Sequence, residues 1–191
     1  MENVKIILAS QSPRRRELLG RICREFDVVA ADVDESLPET VSPEEGVEIL
    51  ALRKGKAVAC EHPDALVISS DTLVELDGTP LGKPADEEDA VRMLTRMSGR
   101  THSVRTGVAV HYRGRSYSGV DSAFVHFRPI PESEIREYVR GGEPMDKAGA
   151  YGIQGEGGKF VTGYDGDFDT VMGLSLPLTE RLMREALSEN D

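Results

Sequence analysis

Cysteine is scarce in this chain: Cys23 and Cys60 are the only two among 191 residues. A disulfide framework needs more, and no C-x-x-C spacing offers a metal site. Both are expected to be buried or idle thiols inside helix-like segments, as suits a reducing cytosol. Long apolar runs are missing too. Nothing approaches the ~18 consecutive apolar residues of a membrane span. The stretch from Met1 to Lys5 leads into a run, Ile6 to Ala9, that is too short for a signal h-region. A cytoplasmic protein with no membrane contact is the expectation. Positive charge is in deficit: 23 Lys and Arg stand against 34 Asp and Glu, a net charge of −11. That balance, with no broad basic stripe, argues against nucleic-acid binding. A phosphate ligand would have to be met by a local basic cluster. No G-x-x-x-x-G-K-[ST] occurs, which excludes P-loop chemistry. Internal repeats, low-complexity tracts and an obvious linker are also lacking.

With 39% hydrophobic and 30% charged residues, the chain can bury a core and solvate its surface. Val4 to Ala9 reads as a strand buried on both faces. A helix follows from Pro13, and Glu25 to Ala30 reads as a second strand. Ser42-Pro43-Glu44-Glu45 opens another helix with a capping box. Its inner side would carry Val47, Leu50, Ala51, Ala57 and Val58. Ala65 to Val74 runs into a hairpin at Asp77-Gly78. Asp86 to Met97 is helical, with Gly99 as its stop. Val104 to Tyr112 alternates, placing Val104, Thr106, Val108, Val110 and Tyr112 on one face, and returns through Arg113-Gly114 along Tyr117 to Phe127. Ile135, Tyr138 and Val139 mark a helix stopped by Gly141-Gly142. Asp165-Gly166 reads as a hairpin-like turn, and Leu178 to Leu187 closes the chain as a helix. The mixture predicts an α/β fold on a mixed, elongated central sheet flanked by helices. The whole of residues 1–191 reads as a single domain whose internal boundaries composition does not draw.

Three segments break local rules. Ser42-Pro43-Glu44-Glu45 puts carboxylates at the positive end of its helix, as the macrodipole prefers, but Ser12-Pro13-Arg14-Arg15-Arg16 stacks three cations there. Each misplaced charge costs on the order of 0.3–1 kcal/mol at an exposed site. A polyanion held by helix N–H groups and guanidinium forks would offset that; so would a surface salt bridge to Glu17. Asp71 interrupts the apolar run from Leu66 to Val74. It suits a general base or a metal ligand, or else an edge-strand carboxylate facing water. The segment 147–158 contains five glycines, which permit close backbone approach to a ligand, a mobile lid, or merely a flexible surface loop. Three weaker signals accompany these. Lys83 follows the hairpin in a short rigid loop that can aim an ammonium at a phosphate. Lys54 and Lys56 lie on a helix, where lysine is normally surface. Asp34 and Glu35 follow a strand, where acidic pairs are solvated or share a metal.

In order along the chain, these segments resemble the Maf family. Ser10-Gln11-Ser12-Pro13-Arg14-Arg15-Arg16-Glu17-Leu18-Leu19 matches its S-x-S-P-R-R-x-E-L-L signature, Ser70-Asp71-Thr72 its strand motif, and Gly82-Lys83-Pro84 the K-P that follows. Ser98-Gly99-Arg100-Thr101-His102 and Asp146 to Gly155 match two further blocks. Met172-Gly173-Leu174-Ser175-Leu176 matches the last, with Ser175 where proline is usual, a departure that touches a helix start. The resemblance implies a nucleoside triphosphate pyrophosphatase with a fold related to inosine triphosphate pyrophosphatases. It also implies two lobes with a cleft, a divalent metal (Mg²⁺ or Mn²⁺) and, as a possible assembly, a homodimer. The stretch from Lys147 to Gly155, together with Arg14, looks like the branch acting on dTTP and UTP; the branch favouring 7-methyl-GTP tends to lack Tyr-Gly-Ile-Gln.

Carried onto matching positions, the resemblance makes Asp71 the base that orients or deprotonates water, with Asp71 and Glu35 holding the metal. Ser10, Arg14, Arg15, Lys54 and Lys83 neutralise charge on the phosphates. Arg14, Thr72 and Gln154 set base specificity, and a Gln amide does offer the donor and acceptor that a uracil or thymine edge requires. The products would be the monophosphate and pyrophosphate, from canonical or modified pyrimidine nucleotides. A rival reading of another class stays open at this point: a nucleotide-binding regulator of septum formation and cell division whose hydrolysis is slow or incidental.

Overall fold

The computed structural model describes residues 4–38 and 40–188; Met1 to Asn3, read above as leading into the first strand, lie outside the described residues. Strand β1 (Ile6–Leu8) pairs parallel to β2 (Asp27–Val28) and to β3 (Leu66–Leu76). The remaining strands are β4 (Thr79–Leu81), β5 (Thr101–Tyr112), β6 (Arg115–Phe127) and β7 (Val161–Asp165). They form one mixed seven-stranded sheet in the order β2-β1-β3-β5-β6-β7, with β4 antiparallel on β3. Among the described residues six α-helices accompany the sheet: α1 (Pro13–Ile22), α2 (Pro43–Glu61), α3 (Glu87–Met97), α4 (Glu132–Arg140), α5 (Phe168–Met172) and α6 (Leu176–Ser188). The mixed α/β class expected from the pattern is the class observed.

By contact density the chain divides into two compact units. The first comprises residues 1–71, 106–121 and 172–191, and the second 72–105 and 122–171. The division passes through β3 between Asp71 and Thr72, and through β5 and β6.

In the first unit a small core of Ile7, Ala9, Val58, Ala65 and Val67 sits where β1 and β3 meet α2, and α1 packs on α6. Ser42 caps α2 with the full capping box, its hydroxyl accepting from Glu45 N while Glu45 accepts from Ser42 N. Ser175 precedes α6 and stays buried, donating to Asp121 Oδ2 at 2.7 Å. The residue that departs from the family pattern therefore has a partner of its own.

In the second unit a larger core gathers Val74, Leu76, Leu94, Met97, Val125 and Ile135 around aromatic rings. Phe127, Tyr138, Tyr151 and Phe160 meet edge to face, and α3 packs on α4.

Several details differ from the sequence pattern. β2 keeps only two of the six residues expected, because its pairing with β1 involves just Ile7 and Leu8. Gly166 has φ 96° and leads from β7 into α5 rather than into a hairpin, while β7 pairs with the distant β6. Cys60 lies in α2, but Cys23 is the residue that ends α1. Ala57 is only half-buried. β5 is covered on both sides, since Gly107, Ala109 and His111 between the alternating residues are buried as well.

That second face of β5 brings α2 unusually close. A Cβ on Gly107 would overlap the Val47 carbonyl of α2, and a Cβ on Gly55 of α2 would overlap His111 and Ser69. Backbone on backbone leaves no rotamer to relieve the first overlap. Gly107→Ala is therefore expected to destabilise at or above the upper end of the ~1–3 kcal/mol typical of overpacking. Urea unfolding measures it, and a midpoint equal to that of the parent chain would show that α2 does not rest on β5 as described.

Candidate functional site

The charged cluster of the first unit begins at the N-terminus of α1. Ser12 caps the helix, its hydroxyl accepting from Arg15 N, and its own amide donates to the buried Ser10 Oγ at 3.2 Å. No acidic residue occupies the first turn. Glu17 pairs with Arg21 at 3.0 Å, not with Arg14 or Arg16, so the local salt bridge that offered an alternative is committed elsewhere. Arg14 and Arg16 are exposed and have no ion-pair partner among the described residues. Arg15 turns inward and donates from Nε to the Gly173 carbonyl at 2.9 Å, the same carbonyl that accepts from Ser70 Oγ at 2.7 Å. Burial lowers the pKa of the Arg15 guanidinium. Asp71 pulls it back up, Arg14 lowers it further, and Glu35 raises it.

Asp71 lies three residues past the last pairing of β3 with β1, on a strand with neighbours on both sides. It is thus at the point where β1 has given out and β4 has not yet begun to pair with β3. Its Oδ1 accepts from Lys54 Nζ at 2.6 Å, and the same ammonium lies 2.8 Å from Glu35 Oε1. Lys54 and Asp71 side chains are 13% and 15% exposed and Glu35 is 63% exposed. A lysine on a helix would ordinarily face water; here α2 turns it onto β3. The loop carrying Glu35 is held separately. Arg53 donates from one nitrogen to the carbonyls of Asp34 and Ser36 at 2.9 and 2.8 Å. Asp34 turns back to accept from the amide and hydroxyl of Ser36. The acidic pair is therefore split: Asp34 shapes the loop and Glu35 faces the cluster.

Among the described residues no group of three or more His, Cys, Asp or Glu side chains gathers around one point. Asp71 and Glu35 do converge on one cationic atom, and both offer hard oxygens. Mg²⁺ typically takes one or two carboxylates and completes its shell with water and substrate phosphate. The donor set fits such an ion, held jointly with a phosphate ligand.

The expected residues of the second unit occupy its own surface. Thr72 is half-buried on β3, and Lys83 is exposed in the loop after β4. The Gly82 carbonyl beside Lys83 accepts from Gly149 N at 3.0 Å, which ties that loop to the glycine-rich block. The block is no loose loop: it forms short 3₁₀ turns at Glu143–Asp146, Ala148–Ala150 and Glu156–Phe160. Tyr151 within it is buried, with its hydroxyl 2.8 Å from His102 Nε2. Gln154 stands exposed at the tip.

The structure thus joins Glu35, Lys54 and Asp71 directly, sets Arg15 in their field, and puts Ser10 and Arg14 at the start of α1. Thr72, Lys83 and Gln154 belong to the second unit. The pattern had not singled out Ser70 and Gly173, although both lie inside matched motifs. Arg53 carries no sequence signal, since its work is on backbone carbonyls.

His102 supplies a pH test of the second unit. Burial, and then the charge of His126, lower its pKa from 6.5 to about 4. The unfolded chain therefore takes up this proton first as pH falls. The stability that the neutral ring contributes is complete above pH 6.5 and is lost on the way down to about 4. A loss on the order of 3 kcal/mol is expected over that window. His102→Gln, which keeps a partner for Tyr151, should remove that part of the slope in chemical denaturation; equal slopes would refute it.

A family model described as Maf-like protein matches residues 5–186. A Bacillus velezensis protein named dTTP/UTP pyrophosphatase is 48% identical over 181 residues, covering 95% of this chain and 96% of its own. A Moorella thermoacetica protein of the same name is 49% identical over 181 residues, covering 94% and 93%. The solved structure of the Staphylococcus aureus Ham1 protein aligns with a TM-score of 0.50 at 16% identity, over 98% of this chain and 100% of its own, a likeness of fold alone.

Proposed function

This chain belongs to the Maf-like protein family, and from that premise we propose that it is a nucleoside triphosphate pyrophosphatase acting on dTTP and UTP. Water attacks the α-phosphorus, the α–β anhydride bond breaks, and the products are the nucleoside monophosphate and pyrophosphate. The observation that carries the reading is the convergence of Asp71 and Glu35 on Lys54 at 2.6 and 2.8 Å. A cation between two carboxylates on a β-strand and a loop is a costly arrangement for a fold to keep without a ligand.

In this proposal Asp71 accepts the proton of the attacking water. Its Oδ1 is engaged by Lys54, and Oδ2 has no hydrogen-bond partner among the described residues. A divalent cation held by Asp71 and Glu35 would polarise the phosphate oxygens when bound. Arg15, fixed by the Gly173 carbonyl, presents a guanidinium of set orientation to the phosphates. Arg14, exposed on the first turn of α1, adds a second, and Ser10 supports the turn from which both project. Lys54 balances charge that grows as the anhydride breaks, and Lys83 is assigned to the leaving pyrophosphate. Thr72 and Gln154, together with Arg14, are assigned to the base: the Gln154 amide donates to O4 and accepts from N3–H of uracil or thymine. A cytoplasmic setting and a homodimer remain part of the proposal.

Pyrophosphate release by the purified chain with Mg²⁺ or Mn²⁺, across dTTP, UTP, CTP, GTP and 7-methyl-GTP, tests the whole reading. Fast metal-dependent release from dTTP and UTP is the expected result. Tight binding without release would favour the regulator of cell division instead. Asp71→Asn is expected to fold normally and to lose turnover by at least the ~10²–10⁴-fold typical of a general base; near-parental rates would remove Asp71 from that role. Gln154→Ala should narrow the preference for UTP over GTP, and an unchanged ratio would sink the base-reading assignment.

A further inference from the structure

Glu143 belongs to none of the residues assigned above, yet the segment 152–157 is wrapped around its carboxylate. Oε1 accepts from Tyr138 Oη at 2.9 Å and from Gly157 N at 3.3 Å, and Oε2 accepts from Glu156 N at 2.9 Å. Gly152 N completes the ring by donating to Tyr138 Oη at 3.4 Å. The fit is close enough that a Cβ on Gly155 would overlap the Glu143 carboxylate, and one on Gly152 would come to 3.1 Å from Oε1. Tyr138 is itself immobilised. The residue is 1% exposed and its ring stands edge to face on Phe160 at 5.1 Å. Lys147 Nζ donates to the Glu143 carbonyl at 2.8 Å and fixes the backbone from which the carboxylate projects.

Burial opposes ionisation of Glu143. The Glu156 amide, the Tyr138 hydroxyl, the Gly157 amide and the charge of Lys147 outweigh it, so its carboxyl stays below the usual range. Two successive amides aimed at one carboxylate form an anion-binding nest, here filled by the protein's own side chain.

Gln154 lies between the two tied ends of this segment. Gly152 is held on one side and Glu156 and Gly157 on the other, while the Gln154 side chain is exposed and has no hydrogen-bond partner among the described residues. Nothing on the side chain itself fixes where its amide stands, so the placement must come from the backbone. We propose that Glu143 is the positioning residue for base selection, holding the 152–157 turn so that the Gln154 amide meets the base edge at a set place. This rests on the assignment of Gln154 to the base. Discrimination by a polar edge depends on donors and acceptors held in place before the ligand arrives, because a loose group pairs almost as well with the wrong edge.

The test compares kcat and KM for UTP and GTP in the parent chain, Gln154→Ala, Glu143→Ala, Glu143→Gln, Tyr138→Phe and the Glu143→Ala/Gln154→Ala double variant. Amide exchange at residues 152–157 is measured alongside. Glu143→Ala is expected to reduce the UTP to GTP ratio of kcat/KM by about tenfold, the scale of one oriented hydrogen bond, mainly through KM for UTP. Glu143→Gln, with one acceptor oxygen in place of two, and Tyr138→Phe, with one donor removed, should shift the ratio less and in the same direction. Both keep the fold if Glu143→Ala does not. Exchange at Glu156 and Gly157 should quicken in Glu143→Ala, and the double variant should show no further loss of ratio beyond Gln154→Ala. If Gln154→Ala changes the ratio while the Glu143 variants lower both substrates by one factor, Glu143 is merely structural and this inference falls alone. If Gln154→Ala leaves the ratio unchanged, the base-reading assignment falls and takes this inference with it.

Discussion

The ammonium of Lys54 between two carboxylates is the interaction on which the first unit depends. Removing the ammonium would strip the mostly buried Asp71 carboxylate of its hydrogen-bonded cation, whereas losing either carboxylate alone leaves Lys54 the other. The surrounding elements can be understood as what keeps that contact in place. α2 presents Lys54 inward, β3 carries Asp71 past the end of β1, and the Arg53 guanidinium bridges two carbonyls so that Glu35 comes back over the pair. The arrangement is an ion triad with one oxygen of Asp71 held in reserve.

The second unit solves a different problem. Gln154, which we assign to the base, lies on a glycine-rich stretch built of short 3₁₀ turns, and order is imported from the core beneath. Tyr138 and Tyr151 bring hydroxyls from a packed aromatic cluster to Glu143 and His102. The turn is therefore stiffened from below by groups that never reach the surface. This division of labour is common where specificity needs an adaptable backbone on a rigid support.

Much of this was legible in the amino-acid pattern, because the relevant signals are local. The Ser-Pro starts of α1 and α2 predict their caps, the Asp77-Gly78 and Arg113-Gly114 turns predict their hairpins, and three arginines at a helix N-terminus mark an unmet electrostatic demand. Asp71 within an apolar run was equally visible. What escaped depends on residues far apart in the chain. The inward turn of Lys54 is settled by how α2 lies on the sheet. The grip of Arg53 is on carbonyls, which have no sequence identity. Ser70 and Arg15 meet at Gly173, more than a hundred residues away from either. The glycines of 147–158 suggested looseness, whereas several of them are there because a neighbouring carboxylate or side chain occupies the space of a Cβ. Composition does not distinguish a glycine that frees the backbone from one that admits a neighbour.

The close seating of α2 has a consequence for how this protein can change over time. Gly55 sits beside Lys54 in the helix, and Gly107 faces Val47 from the strand. Each weakens its own element by roughly 0.5–1 kcal/mol relative to alanine. Together they set the height of the helix above the sheet, and with it the reach of the lysine stem to Asp71. Alanine at either position would regain that propensity only by overlapping the facing element, so selection for thermal tolerance keeps both glycines, and with them the seat from which the ammonium reaches its partners. These two glycines thus act as a spacer gauge for the unit's most charged contact.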